Sequence, residues 1–333
     1  MKRERPLRSQ SGFTLLEMSI VVAITGCLLV AAASVATPMI RTARKTETDQ
    51  KLENIARAID YYVAQNYRVP CPASPDKKSA GQPWGFEGGS GKDGNNIPAD
   101  CGADPAQWEG IVPFKTLNIP VDWIRDSWGN YITYAISPAF SQDVSNPAIP
   151  VHSRCRTGDW FTAGVLYEQG VTDPATGQPA KNVLLPRAER KARFCCSGAL
   201  PGTDLIVLDV NGRSQIAIPR QPSPDSYKAA NVSYPDPFVA NVPVPNNDRV
   251  TAPVYILVSH GPDGYGALSG SARTRFDLTN ATHGETENAN SDRTFVEIPP
   301  VDRADKERGF DDIVLWRSQD MIFASQGKSC SLP

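Results

Sequence analysis

The hydrophobic pattern of this chain takes three forms in turn, and together they predict one long helix and a set of strands. Residues 13–40, FTLLEMSIVVAITGCLLVAAASVATPMI, are apolar on every side, with Glu17 as their single charge. The uncharged run 18–40 is 23 residues, about 34 Å as a helix, long enough to cross a bilayer core of about 30 Å. From there the pattern becomes amphipathic. Leu52, Ile55, Ala56, Ile59, Tyr62 and Val63 recur at helical spacing, while Lys51, Glu53, Asn54, Arg57 and Asp60 fill the opposite face. Pro70 and Pro72 forbid extension, so one helix is expected over 13–67, roughly 80 Å long.

Beyond residue 68 the period falls to two. An Asp126–Asn130 turn feeds a strand over Tyr131–Ile136, and Trp128 and Tyr134 are expected in the core, holding sheet to helix. Asp204–Val210 and Ser214–Ile218 flank Asn211-Gly212, the signature of a two-residue hairpin. Phe161–Tyr167 is a weaker strand, Val254–Ser259 a short apolar one, and Asp311–Trp316 opens the last. The fold class is therefore α+β: a long N-terminal helix, its first half membrane-spanning, packed on an antiparallel sheet. The head over 68–333 carries a large Pro-rich loop and β insertion at about 138–250.

Composition removes several functions. The net charge is −2, against a nucleic-acid partner, and three histidines leave little for acid–base chemistry. No G-x-S-x-G elbow is present, so the Ser259-His260 pair does not suggest a hydrolase, and no enzyme is expected. The 29 prolines and 25 glycines predict long loops.

Cysteine use points to an oxidising compartment. Cys27 falls within the apolar run, whereas Cys71, Cys101, Cys155, Cys195, Cys196 and Cys330 lie beyond it. Six cysteines allow 15 connectivities, and three disulfides are expected. Cys71–Cys101 is the preferred pair because it closes one Gly-rich loop; Cys195 and Cys196 would take Cys155 and Cys330 in either order. Zinc is the rival reading, but no C-x-x-C pair occurs.

The N-terminus carries the functional signal. Lys2, Arg3, Arg5 and Arg8 precede the apolar run and predict a cytoplasmic N-terminus. A cleaved secretory signal would end before Thr37, and a plain anchor would end nowhere; neither explains an intramembrane carboxylate. The run Gly12-Phe13-Thr14-Leu15-Leu16-Glu17 after a short basic leader resembles the type IV pilin and type II secretion pseudopilin signature. The resemblance implies that prepilin peptidase removes the leader 1–12 by cutting between Gly12 and Phe13, and that Phe13 is N-methylated. Glu17 would then pair with the amine of a neighbouring subunit during assembly.

The same family resembles this chain at Asp126, Trp128, Gly129 and Tyr134. It also carries a G-P-D-G loop and a later D-D-I, matched here by Gly261–Gly264 and Asp311–Ile313. That resemblance implies a structural calcium held by Asp263, Asp311 and Asp312, whose carboxylate oxygens suit a hard cation.

The implied function is a minor pseudopilin or minor pilin, single-pass in the inner membrane with a periplasmic head, then drawn into a filament, near its tip. Its partners would be other pilin or pseudopilin subunits, prepilin peptidase, an inner-membrane assembly platform and membrane lipid. The alternative is a membrane-anchored adhesin that uses a pilin-like N-terminus for export only.

Overall fold

Helix α1 runs over Leu15–Asn66, with neither strong breaker of its length, Gly26 and Pro38, ending it. The computed structural model describes residues 15–76, 83–88, 101, 107–137, 140–141, 167–168, 183–184, 194–195, 205–209, 253–269, 274–299 and 310–328. The chain divides into two units, Met1–Glu47 and Thr48–Pro333. In the first, no helix among the described residues is long and apolar enough to cross a membrane. In the second, the amphipathic part of α1 buries one stripe: Thr48, Leu52, Ile55, Ala56, Ile59, Asp60, Val63 and Ala64.

One member of that stripe corrects the sequence reading. Asp60, expected on the solvent face, is 1% exposed. A helix of 3.6 residues per turn places position 60 beside 56 and 63, inside the packed arc. The carboxylate is accommodated because Tyr255 Oη donates to Oδ1 at 2.7 Å and Ser325 Oγ to Oδ2 at 3.0 Å.

The sheet has four antiparallel strands in the order β1-β2-β6-β8. Here β1 is Glu109–Ile111, β2 Thr133–Ile136, β6 Pro253–Ser259 and β8 Ile313–Ser318. Two short pairs accompany it: β3 (Tyr167–Glu168) with β4 (Val183–Leu184), antiparallel, and β5 (Ile206–Leu208) with β7 (Thr294–Val296), parallel. Helix α2 is His283–Glu287, and α3, Gln319–Ser325, follows β8 directly.

Register explains why β6 is buried throughout. Tyr134, Leu257 and Leu315 align across β2, β6 and β8, and their row joins the cluster that contains Leu52, Ile55 and Ile59 of α1. The next row, Ala135, Ile256 and Trp316, points the other way and packs with Val207 of β5 and Phe295 of β7. Side chains alternate between faces, so a strand covered on both must be apolar at every position. The order is helix, four-stranded sheet, two-stranded ribbon. The ribbon draws one strand from the expected insertion and one from the segment before β8.

Other expectations land unevenly. Tyr134 is fully buried, its hydroxyl donating to Pro70 O at 3.0 Å, but Trp128 is only half-buried and lies outside the core clusters. The first arm of the expected hairpin shortens to β5, whose described neighbour is β7; the second arm, Ser214–Ile218, lies outside the described residues. Of Phe161–Tyr167, only Tyr167 is described, in β3.

The segment after α1 is fastened twice. Cys71 and Cys101 form a disulfide across 30 residues, with Cα atoms 5.2 Å apart. Inside that loop Glu87 accepts from both Nη atoms of Arg68, at 2.7 and 2.8 Å, and from the Cys71 N–H at 3.1 Å. Ala73 then bridges to Ile111, its N–H donating to Ile111 O at 2.9 Å.

Candidate functional site

The N-terminal segment and the head each present a site. At the start of α1, Leu15, Leu16, Met18, Ile20, Val21, Val22, Ile24 and Leu28 are all exposed, Leu15 by 92%. A helix surface this apolar on every side, broken among the described residues by Glu17, is the kind that lipid or other apolar helices cover. The hydroxyls in this stretch are turned inward: Ser19 Oγ donates to Leu16 O at 2.8 Å and Thr25 Oγ1 to Val22 O at 3.3 Å. Such back-bonding removes polar groups from the outer surface. Glu17, exposed in the first turn, is its one ionisable carboxylate; Gly12 and Phe13 lie outside the described residues. Cys27 is a free, exposed thiol on this helix.

In the head, two turns meet beyond the end of β6. The Asp126 carboxylate organises the first: Oδ1 accepts from Trp128 N at 3.0 Å and Asn130 N at 2.9 Å, and Oδ2 from Ser259 Oγ at 2.9 Å. Burial raises the Asp126 pKa, while these hydrogen bonds, Ser259 first, pull it back. Asn130 Nδ2 in turn donates to Gly261 O at 2.9 Å. Gly261 has φ +61°, and a Cβ there would sit 2.4 Å from Asp311 Oδ1. The glycine is thus required both by backbone angle and by the approach of that carboxylate.

Asp263, Glu285 and Asp311 converge here, each offering a carboxylate oxygen within 4.8 Å of the others. Glu285 is fully buried in α2, with Oε2 accepting from Thr282 N at 2.8 Å. Three carboxyl groups this close, one of them buried, offer the oxygen donors that a hard divalent cation prefers.

Asp312 faces elsewhere. Its Oδ2 accepts from Asn288 Nδ2 at 2.8 Å, and Oδ1 lies 3.8 Å from His260 Nδ1. Asn288 also grips Val296, accepting from its N–H at 2.6 Å, so Asp312 braces the ribbon rather than joining the carboxylate cluster. Burial pushes the Asp312 carboxyl well above its ordinary range, and the charges of Asp311 and Glu285 push the same way. His260, fully buried with Nε2 2.9 Å from Thr133 Oγ1, is lowered to about 3 by burial and by Arg275. A neutral imidazole beside a carboxyl of raised pKa is not an ion pair.

Of the three carboxylates that the sequence singles out, Asp263 and Asp311 therefore meet, Asp312 faces Asn288, and Glu285 is the third member of the cluster. Glu285 left one trace in the sequence: Thr282-x-x-Glu285 has the spacing of a capping box, which announces a helix start but no ligand. Among the disulfide candidates, Cys71 and Cys101 pair and Cys195 is disulfide-bonded; Cys155, Cys196 and Cys330 lie outside the described residues.

Residues 7–33 match the prokaryotic N-terminal methylation motif, the signature of pilins and pseudopilins. The match covers the start of the chain and none of the unit that begins at Thr48. No curated protein and no solved structure matches the chain.

Proposed function

We propose that this chain is a structural subunit of a type II secretion pseudopilus or type IV pilus, a minor pseudopilin or minor pilin processed by prepilin peptidase. The observation that carries this reading is the methylation motif over residues 7–33, with Gly12-Phe13 and Glu17 in order after the basic leader. Cleavage after Gly12 frees an α-amine at Phe13, which stays cationic when methylated. Glu17 lies four residues on, about 6 Å along the helix. In a low-dielectric helix bundle, the Glu17 carboxylate needs a cation, and the amine of an adjacent subunit supplies one. Its main use is register, because a mis-stacked subunit leaves both charges unpaired.

Before assembly, the apolar run 18–40 holds the chain in the inner membrane, with its leader cytoplasmic and its head periplasmic. Its uncharged length and the disulfides beyond it support that topology. A place at the filament tip suits so large a head, since shaft subunits rise only a short step above one another and their heads compete for volume.

Calcium belongs to the same reading. Asp263, Asp311 and Glu285 would hold the ion, supplying oxygen ligands from the loop after β6, the residue pair before β8, and α2. A bound cation would neutralise the cluster and tie the ribbon-side helix to the sheet. No step of assembly is routed through it.

The test is Glu17→Ala in the producing cell. The account expects cleavage and membrane insertion to persist while incorporation into the filament is lost. Normal incorporation of this variant would overturn the assembly role of Glu17.

A further inference from the structure

Helix α2 is held on two sides by different chemistry. On one side Glu285 meets Asp263, in the loop after β6, and Asp311, just before β8. On the other, Asn288 at the C-terminal cap of α2 grips β7: Nδ2 donates to Val296 O at 3.1 Å and Oδ1 accepts from Val296 N at 2.6 Å. Gly284 lets the helix sit close, since a Cβ there would come within 3.0 Å of the Phe310 ring. Strand β5 pairs with β7 and, among the described residues, with no other strand. Val207 of β5 and Phe295 of β7 cover Ile256 and Val258 on the second face of the sheet. The carboxylate cluster is thus linked to the cover of that face through one helix of five residues.

We infer that the cluster of Asp263, Glu285 and Asp311 is a lock on the β5–β7 ribbon, which calcium closes. The inference rests on the calcium reading proposed above and adds what occupancy controls. The three carboxyl groups come from three separate elements. Ionised together they repel, and a hard cation between them turns that repulsion into attraction. The ion keeps all three ligands only while α2 stays in place, so it binds the closed arrangement more tightly than an opened one. A difference of affinity between two states shifts the population toward the better-bound state. The motion it governs is local. Strands β5 and β7 have three residues each, and so short a pair opens at less cost than the whole head. Opening bares Ile256, Val258 and Trp316 of the central sheet. Occupancy of the cluster therefore sets how often that apolar face is uncovered.

The experiment is hydrogen–deuterium exchange of the purified full chain, in chelator and in calcium chloride, with calcium binding followed in parallel by titration calorimetry. At about a hundredfold excess of calcium over its dissociation constant, exchange at Val207, Leu208, Phe295 and Val296 should slow by about tenfold or more. Asn288→Ala should still bind calcium and still slow exchange within α2, yet lose the gain in β5. Glu285→Gln keeps an oxygen for the Thr282 N–H, and its ribbon should exchange at the same rate with and without calcium. Calcium that binds without slowing the ribbon, or an equal gain in Asn288→Ala, would overturn the lock and leave the calcium reading standing. A wild-type chain with neither binding heat nor slowed exchange would refute both.

Discussion

Arg68 and Glu87, 19 residues apart, form a two-pronged ion pair at 2.7 and 2.8 Å in which the arginine is 1% exposed. Glu87 also accepts from the Cys71 N–H and from Tyr62 Oη at 3.2 Å, so one carboxylate joins the end of α1, the disulfide and the loop between them. Removing either partner leaves the other charge buried without its counter-charge. Arg68→Ala is expected to destabilise the head by about 3–5 kcal/mol. Arg68→Met/Glu87→Leu should recover most of that loss. Urea denaturation of the purified chain measures both; a single variant as stable as the wild type would contradict the role assigned to the pair.

The disulfide and this ion pair share Cys71, so their losses should not add. Cys71→Ser/Cys101→Ser is expected to cost about 2–4 kcal/mol alone. Combined with Glu87→Gln, the total should differ from the sum by more than about 0.5 kcal/mol, the ordinary error of additivity. Denaturation of the single and combined variants checks this, and strict additivity would show the two fasteners to be independent.

Asp60 gives the head a pH dependence of definite sign. Burial raises its pKa above the ordinary 3.8, while hydrogen bonds from Tyr255 and Ser325 and the charge of Arg317 pull it back. The folded state therefore keeps a proton that the unfolded state has released. Its stabilising effect is complete below 3.8 and is lost as pH rises through the folded value. Asp60→Asn removes this dependence, so its stability relative to wild type should climb as pH rises above 3.8 through the raised folded value. Parallel thermal-melting profiles for the two proteins across that range would refute the assignment.

Calcium should stabilise the head if the carboxylate cluster holds it. At a hundredfold excess over the dissociation constant, linkage predicts about 2.7 kcal/mol. The gain should vanish in Asp263→Asn and Glu285→Gln, yet persist in Asp312→Asn, because Asp312 faces Asn288. Calorimetric melting with and without calcium measures it, and an equal response from Glu285→Gln would remove that residue from the set.

Local pattern made α1, β2, β6 and β8 legible, because a helical stripe or an alternating run is written in neighbouring residues. Tyr134 and the Cys71–Cys101 pair followed from the same short-range logic. What escaped depends on contacts between distant segments. Asp60 looks like a solvent residue until Tyr255, 195 positions later, donates to it. Glu87 sits in a Gly-rich loop that offers no period to read, and its value comes from Arg68 across the loop. Glu285 enters the carboxylate cluster only because α2 is set beside the Gly261 turn by Asn288 and the β5–β7 ribbon. That ribbon is itself a parallel pairing of segments nearly ninety residues apart, Ile206 with Thr294. No local signal encodes such a partner.

Under the function proposed above, residues 7–33 are processed as a pilin leader and helix. Mass spectrometry of the N-terminal peptide, taken from membranes of the producing cell, tests it most directly. The account predicts a chain that begins at Phe13 with a methylated α-amine. A chain that begins at Met1 or at Thr37 would contradict it.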